Sequence, residues 1–418
     1  MRLGSAPEDF IWAVGIEDTF VPQTRRGHRA LDEYELVGHY AHWREDLALA
    51  RKVGARAIRW GVPWYRVQPA REVFDWSWTD QVIPYLVNEL GIVPIVDLMH
   101  YGCPFWLERE FDNPDYPRAV AAYAAAFARR YRDLVHWYTP LNEPFVNALM
   151  CGKRGEWPPY LSGDSGFVRV MLQLARGIIE TVNALKQSAP GARMVHVEAT
   201  GLRRILQDEL RELALLEQHR GYLSYDLITG QTTRGHPLFQ WLLEHGADAQ
   251  ELEQLARGKI ALDAIGLNFY PQWSTRQIHL DAQGRLKYRL VEKDGAGFSE
   301  LLQDFYTRYQ VPMIVTETSA FGANKLRARW LAASVAAIKN LRAGGVPIHG
   351  YTWFPLFTMY KWNYRRGRLP LERYRFDLGL FQLNTQEDGP RFLETPLVEQ
   401  FVSYVNNPKE AVGDLRTC

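Results

Sequence analysis

Cysteine is scarce in this chain, with only Cys103, Cys151 and Cys418 among 418 residues. None of the three belongs to a CxxC pair, so a zinc site built from thiolates is not expected. A sparse and odd number of cysteines is typical of proteins kept in a reducing compartment.

Long apolar runs are also missing. The first residues, MRLGSAPEDFIWAV, contain no long apolar segment after the single arginine and do not resemble a secretory signal. No stretch approaches the ~20 apolar residues needed to cross a bilayer. Together with the few cysteines, these absences predict a soluble cytoplasmic protein.

No excess of charge of either sign is present, because 49 basic residues balance 48 acidic ones to a net charge of +1. Neither nucleic acid nor a membrane surface is therefore an expected partner. Aromatic residues are plentiful, with 14 Trp, 21 Tyr and 19 Phe. Their rings can pack a core or stack on the apolar faces of sugars, and composition does not choose between these uses.

Several signatures of cofactor and nucleophile chemistry are absent. No GxGxxG follows the first predicted strand, and neither GxxxxGK[ST] nor the GxSxG elbow of serine hydrolases occurs. His100 and His136 are isolated histidines, so the pattern for a metal site is weak. We expect no metal and no cofactor.

The sequence does contain a regular alternation of short β-rich runs and helical stretches. The runs are nearly continuous in apolar residues, which is typical of parallel strands covered on both faces. Glycines close several helices before the next run, as in KVGA, ELGI and AGGV. The predicted strands cover residues 10–16, 55–62, 91–100, 134–143, 192–200, 262–270, 311–319 and 346–354.

Eight strand–helix units predict an α/β protein with a (β/α)₈ barrel fold, and an open doubly wound sheet is the competing architecture. We find no low-complexity linker and no break in composition, so residues 1–418 are predicted to form a single catalytic domain. The longest irregular stretches, 271–299 and 355–392, follow strands and are expected to crowd the active face.

Two glutamates fall at predicted strand ends on that face. Glu143 closes the segment YTPLNEP after the fourth strand, and Glu317 lies in IVTETSAFG at the end of the seventh. A pair of facing carboxylates is what glycoside hydrolysis needs, one to protonate the leaving oxygen and one to attack or to activate water. An isolated glutamate at such a place would more often be a solvated loop charge.

These two segments resemble the acid/base and nucleophile segments of glycoside hydrolase family 1, the retaining β-glycosidases. Other segments agree in chain order, namely FIWAVG, the helix and arginine-bearing strand ending in IRWGVPWYRVQP, DLMHYGCPFWL, IGLNFYP and GYTWFPLF. The resemblance covers essentially the whole chain. It implies a β-glycosidase that acts on a small-molecule glycoside or oligosaccharide through a covalent glycosyl-enzyme intermediate.

The resemblance also implies a role for individual residues. Glu143 is expected to be the general acid/base and Glu317 the nucleophile, with Arg59 and Tyr270 bound to Glu317. The residues expected to bind the sugar are His100, Asn142, Asn268 and Trp353. Each has a structural alternative, such as an ion pair for Arg59 or core packing for Trp353. The resemblance implies no specific role for Glu198, at the end of the fifth strand, and we expect it to support the loop wall.

The chain departs from the family at the usual clamp on the glycone, the sugar whose bond is cleaved. The family's glutamine after the first strand is missing, and Glu17 and Asp18 stand near its place. Beyond Trp353, Lys361 falls near the family's second grip on the sugar. We therefore expect an atypical glycone. Lys361 can receive an anionic group on it, unless Glu17 and Asp18 neutralise the cation.

Two alternatives remain open from the sequence. A transglycosidase would use the same covalent intermediate with an alcohol as acceptor. A non-hydrolytic, carbohydrate-binding descendant would keep the barrel without turnover, although binding alone does not need both Glu143 and Glu317. The sequence does not indicate the oligomeric state.

Overall fold

The protein is described by a computed structural model that covers residues 3–291, 295–384, 386 and 389–415. Cys418 lies outside the described residues. Eight parallel strands close into a barrel in which each strand pairs with its neighbours in chain order and the last pairs with the first. The strands are β1 (Ile11–Gly15), β2 (Ala57–Gly61), β3 (Val93–Asp97), β4 (Trp137–Thr139), β5 (Arg193–Ala199), β6 (Ala264–Asn268), β7 (Met313–Thr318) and β8 (Ile348–Trp353).

The predicted (β/α)₈ barrel is confirmed, and every barrel strand lies within its predicted range. The open-sheet alternative is wrong, because the first and last strands pair instead of forming free edges. The predicted ranges are too long by one to four residues at their ends. Many of the extra residues are apolar as well, but they lie outside the barrel pairing, in the connections before and after the strands.

One helix follows each strand and packs on the outside of the barrel. Gly54, Gly91 and Gly345, which sit just after three of these helices, have positive φ values of 73°, 65° and 89°. This left-handed conformation is one that glycine adopts without strain. The helices are α1 (His39–Lys52), α2 (Thr79–Pro84, continued by a π-turn over Tyr85–Glu89), α3 (Tyr116–Tyr131), α4 (Gly163–Ser188), α5 (Arg211–Ile228), α6 (Ala296–Tyr309), α7 (Asn324–Ala343) and α8 (Leu397–Asn406).

Shorter elements decorate the loops. Short helices cover Glu33–Val37, Trp64–Val67, Pro144–Asn147, Phe239–Glu244, Ala249–Arg257 and Pro408–Val412. A small sheet joins Arg203–Ile205, Arg276–Leu280 and Leu286–Leu290, and antiparallel pairs join Phe20–Val21 with Leu31–Asp32, Met359–Tyr360 with Arg375–Phe376, and Phe381–Leu383 with Phe392–Glu394. The two long irregular stretches predicted from the sequence thus contain short strands of their own.

The interior of the barrel changes character along its axis. Apolar side chains such as Ile95, Trp137 and Ile314 belong to a buried cluster inside the barrel. Two residues further along their strands, Asp97 and Thr316 are buried and polar. Because side chains on a strand alternate between faces, these residues also point inward. The carboxyl end of the barrel is therefore a polar chamber, and the layer of side chains beneath it is apolar.

No helix in the described part of the chain is both long enough and apolar enough to cross a membrane.

Arg342, at the end of α7, connects the N-terminal and C-terminal segments of the chain through hydrogen bonds. It is fully buried, and its guanidinium donates to the carbonyl oxygens of Ile348, Ser5 (3.0 Å) and Val412 (3.3 Å). These acceptors come from β8, the N-terminal segment and the last short helix. A single side chain therefore supplies donors to three separate segments, two of them far from it in the sequence.

We expect Arg342→Ala to lower the free energy of unfolding by about 2–4 kcal/mol, because it leaves several buried carbonyl groups without a donor. Chemical denaturation of the variant measures this loss. Arg329→Ala is the control, since Arg329 is exposed on the same helix and its replacement should change stability by less than about 0.5 kcal/mol. Equal effects of the two variants would contradict the role given to Arg342.

Candidate active site

The two predicted carboxylates both lie at the carboxyl end of the barrel, but neither sits at a simple strand end. β4 ends at Thr139, and Glu143 follows in a loop with a left-handed backbone conformation at φ 45°. Glu317 lies inside β7, where the pairing with β6 shifts register between Val315 and Glu317. This bulge lets Glu317 point into the chamber although its neighbour Thr316 also faces inward.

Glu317 is held by a cation and a phenol. Arg59, from β2, donates from Nη1 to Oε1 of Glu317, and the hydroxyl of Tyr270 donates to Oε2 at 2.6 Å. The carboxylate is 4% exposed. The structure thus brings together the three residues that the resemblance associates.

Arg59 also binds a second carboxylate that sequence reasoning did not single out. Its Nη2 donates to Oδ2 of Asp97, at the end of β3, and to Oδ1 of Asn142 at 3.0 Å. Burial by itself would lower the pKa of Arg59, but Asp97 and Glu317 raise it above its ordinary value. The guanidinium therefore remains charged and fixes three side chains from three strands or loops.

Glu143 is held by neutral donors. The hydroxyl of Tyr101 donates to its Oε2, and Nδ2 of Asn268 donates to its Oε1 at 2.9 Å. Tyr101 has a positive φ of 84°. In the sequence, one feature alone points to Tyr101 as a site residue. It follows His100 at a position where the family that the chain resembles has a tryptophan.

The two asparagines and His100 connect these groups. Nδ2 of Asn142 lies 2.8 Å from Nε2 of His100 and donates to the Tyr101 hydroxyl at 3.1 Å. Asn268 donates to Oδ1 of Asn142 at 3.3 Å. The predicted residues Asn142, Asn268 and His100 therefore belong to one hydrogen-bonded network with both glutamates.

Glu17 and Asp18 face His100 rather than Lys361. Oδ1 of Asp18 lies 2.7 Å from Nδ1 of His100, and Oε1 of Glu17 lies 3.7 Å from Nε2. Burial disfavours a charged His100, yet Asp18 raises its pKa well above the ordinary value. Asp18, Asp97 and His100 place potential metal ligands within 4.8 Å of one another. Since Arg59 already binds Asp97, this grouping is better described as an ion-pair network.

A further buried carboxylate, Glu33, was missed from the sequence. It begins the short helix Glu33–Val37, is fully buried and accepts from the backbone N–H of Tyr360 at 3.0 Å. Its other oxygen has no hydrogen-bond partner in the described part of the chain. Burial, and then the charge of Glu17, raise its pKa well above the ordinary value. No motif in the sequence points to this residue.

Trp353 and Lys361, the last two predicted residues, differ from the others in their burial and contacts. Trp353, at the end of β8, is fully buried and donates from its indole nitrogen to the carbonyl of Leu378 at 3.1 Å. Lys361 is exposed, and its Nζ lies 5.5 Å from the centre of the Phe376 ring. The contacts of Lys361 in the described residues do not include Glu17, Asp18 or any group of the network.

Burial and the hydrogen-bond partners of the two glutamates act on their pKa values in opposite directions. Burial raises the pKa of Glu317 to about 7, against the opposing effects of Arg59 and Tyr270. Burial also raises the pKa of Glu143, which the Tyr101 and Asn268 hydrogen bonds lower. Arg59 favours the ionised form of Glu317, and the charge that Glu317 then carries favours the protonated form of Glu143.

Comparison with known proteins gives a family match. The family model described as Glycosyl hydrolase family 1 matches residues 12–271. The chain is 22% identical over 357 residues to beta-glucosidase A of Thermotoga maritima, covering 78% of each protein. It is 24% identical over 406 residues to an aryl-phospho-beta-D-glucosidase of Bacillus subtilis, covering 81% of each.

Solved structures agree in fold. The beta-glucosidase of Thermotoga maritima in complex with deoxynojirimycin superposes with a TM-score of 0.81 at 19% identity, covering 97% of this chain and 99% of that one. At this level of identity the likeness concerns the fold, and it extends over nearly the whole length of both chains.

We expect Tyr270→Phe to raise the pKa of Glu317 above about 7 by about 1 unit, because the lost hydrogen bond favours the ionised carboxylate. Titration of the carboxyl carbons by ¹³C NMR in glutamate-labelled protein measures the shift. Tyr351→Phe is the control, since the Tyr351 hydroxyl contacts Ser334 instead. An unchanged or lowered pKa in Tyr270→Phe would contradict the assignment.

Proposed function

The chain belongs to glycosyl hydrolase family 1 and hydrolyses O-glycosyl bonds, and we propose that it cleaves a β-O-glycoside with retention of configuration. The observation that carries this proposal is the unequal environment of two buried carboxylates. Glu317 contacts the cation of Arg59, whereas within the described part of the chain the hydrogen-bond donors to Glu143 are all neutral. One carboxylate is suited to attack as an anion and the other to give up a proton.

The first step forms a covalent intermediate. An oxygen of Glu317 attacks the anomeric carbon while the bond from that carbon to the glycosidic oxygen breaks. Glu143 gives its proton to the departing oxygen, so the leaving group departs as an alcohol. Arg59 and Tyr270 keep Glu317 ionised and fix its orientation before the attack.

The second step releases the sugar. Glu143, now a carboxylate, takes a proton from a water molecule, whose oxygen attacks the anomeric carbon. The bond to Glu317 breaks and returns the electron pair to that carboxylate. Two inversions give net retention, and both glutamates recover their starting protonation states.

The roles proposed for the sugar-binding residues rest on their place in the network. Asn142 lies between Arg59 and His100, where its side chain can meet the 2-hydroxyl next to the reacting carbon. His100 and Asn268 line the same chamber. Trp353 is proposed as its floor, in keeping with its burial at the end of β8.

We also propose that the glycone is atypical and uncharged. The carboxylate of Glu17 lies 3.7 Å from His100, the buried Glu33 is close enough to Glu17 for their charges to interact, and burial raises the pKa of both. Arg59 and His100 are already engaged by carboxylates. Carboxyl groups without a free cation favour hydroxyl donors of a sugar over a phosphate or a uronic acid. Lys361 is exposed and does not supply the missing cation near His100.

Turnover of aryl β-glycosides by variants tests the two glutamates. Glu317→Ala should lose nearly all turnover, because no nucleophile remains. Glu143→Ala should lose about 10²–10⁴-fold in kcat/KM with a phenol of high pKa as leaving group. With 2,4-dinitrophenol, which needs no proton to depart, the loss should be much smaller.

The first product formed by the parent protein provides a separate check on stereochemistry. ¹H NMR should show the β-anomer first, and added methanol should give a methyl β-glycoside. The α-anomer as first product would reject retention, and equal losses by Glu143→Ala on both leaving groups would reject the acid/base role of Glu143.

A panel of aryl β-glycosides tests the glycone. We expect neutral pentosides or deoxyhexosides to give a higher kcat/KM than glucosides, and anionic glycosides to give the lowest. Lys361→Ala should leave the ratio between matched neutral and anionic substrates unchanged. A parent protein that prefers ordinary glucosides contradicts the atypical glycone, and a changed ratio in Lys361→Ala shows that this lysine senses charge.

A further inference from the structure

Glu198, in β5, is a buried carboxylate whose described contacts are all with neutral donors. It accepts from the backbone N–H of Phe145 at 3.0 and 3.2 Å, from its neighbour Ala199 at 2.9 Å, and from the hydroxyl of Ser224 at 2.6 Å. The residue is fully buried. A buried carboxylate without a cation is costly for stability, so packing alone does not account for it.

The bond from Phe145 gives Glu198 a direct link to Glu143. Pro144 separates the two residues and has no backbone N–H, so Phe145 offers the first backbone donor after Glu143. Glu143 itself has the left-handed conformation, which is unfavourable for a residue with a side chain. This backbone conformation persists only where neighbouring groups hold it.

β5 holds this segment on both sides of the strained residue. The backbone N–H of Glu143 donates to the carbonyl of Val197 at 3.1 Å, and Asn142 forms a β-bridge with the same residue. Glu198, the next residue of β5, then binds the N–H of Phe145. Adjacent residues of one rigid strand thus fix the backbone before and after the carboxyl group of Glu143.

A second layer orients Glu198. Burial lowers the pKa of His196 to about 3, so its imidazole is neutral at ordinary pH. Its Nε2 lies 3.1 Å from the Ser224 hydroxyl and can donate to it, which leaves the hydroxyl proton directed at Glu198. Ser224 comes from α5, so the arrangement is supported from the outer layer of the barrel.

We propose that Glu198 is a positioning residue for Glu143: by binding the N–H of Phe145 it fixes the left-handed backbone of Glu143 and thereby aims its carboxyl group at the glycosidic oxygen. This inference rests on the acid/base role proposed for Glu143. Glu198 touches neither the substrate nor the reacting atoms, so its effect on the reaction passes entirely through Glu143.

The test uses aryl β-glycosides of the best glycone, with phenol leaving groups that span a range of pKa. In Glu198→Ala, kcat/KM should fall at least tenfold more for the poorest leaving group than for 2,4-dinitrophenol, because only the former needs a well-aimed proton. A uniform fall across the series, or none, overturns the inference. Ser334→Ala is the matched control, since Ser334 is equally buried on a helix of the outer layer but its hydroxyl contacts Tyr351 instead of Glu198, and it should show no dependence on the leaving group.

A double-mutant cycle separates positioning from general damage. If Glu198 acts through Glu143, Glu198→Ala should change kcat/KM less than twofold when Glu143→Ala is already present. A loss that persists in that background contradicts the inference. Should Glu198→Ala not fold, Glu198→Gln keeps the volume of the side chain while altering its bonds to the two backbone N–H groups, and the same leaving-group comparison and cycle decide the matter.

The acid/base proposal and this inference fail in different ways. A Glu143→Ala variant whose losses do not depend on the leaving group removes the basis for the acid/base role itself. A Glu143→Ala variant that shows the dependence, together with a Glu198→Ala variant that does not, overturns only the positioning role.

Discussion

The active chamber depends on one buried cation. Arg59 contributes a fully buried guanidinium that binds Glu317, Asp97 and Asn142 at once. Two carboxylates so close together in a dry interior would repel each other and take up protons. The guanidinium offsets that repulsion, and its rigid fork determines where each of its partners lies. Without it, Glu317 would lose the cation that favours its charge, and Asn142 would lose one of its hydrogen bonds.

This single contact also makes the environments of the two carboxylates proposed for catalysis, Glu143 and Glu317, unequal. Both are buried, and burial by itself raises both pKa values. The difference between them comes from their partners, a cation for Glu317 and the neutral donors Tyr101 and Asn268 for Glu143. The division follows from the barrel, because strands from different parts of the chain deliver these partners to a common mouth.

Irregular backbone conformations also help to position the two glutamates. Glu317 enters the chamber through a register shift in β7, and Glu143 through a left-handed residue after β4. Such departures from regular geometry are unfavourable in themselves. In this barrel hydrogen bonds from neighbouring strands hold them, such as the bonds that β5 makes on both sides of Glu143.

The sequence by itself determined the barrel and pointed to most of the residues that meet at its carboxyl end. Apolar runs and glycine-closed helices are local patterns, so they reveal the eight strands. The segments around Glu143, Glu317, Arg59 and Tyr270 are local as well. Tertiary structure alone decided which groups meet, since Arg59 and Glu317 are 258 positions apart. It buried Glu33 against the backbone of Tyr360 and left Lys361 exposed. Local sequence encodes an element and its faces, whereas loop paths and register shifts depend on packing between distant segments.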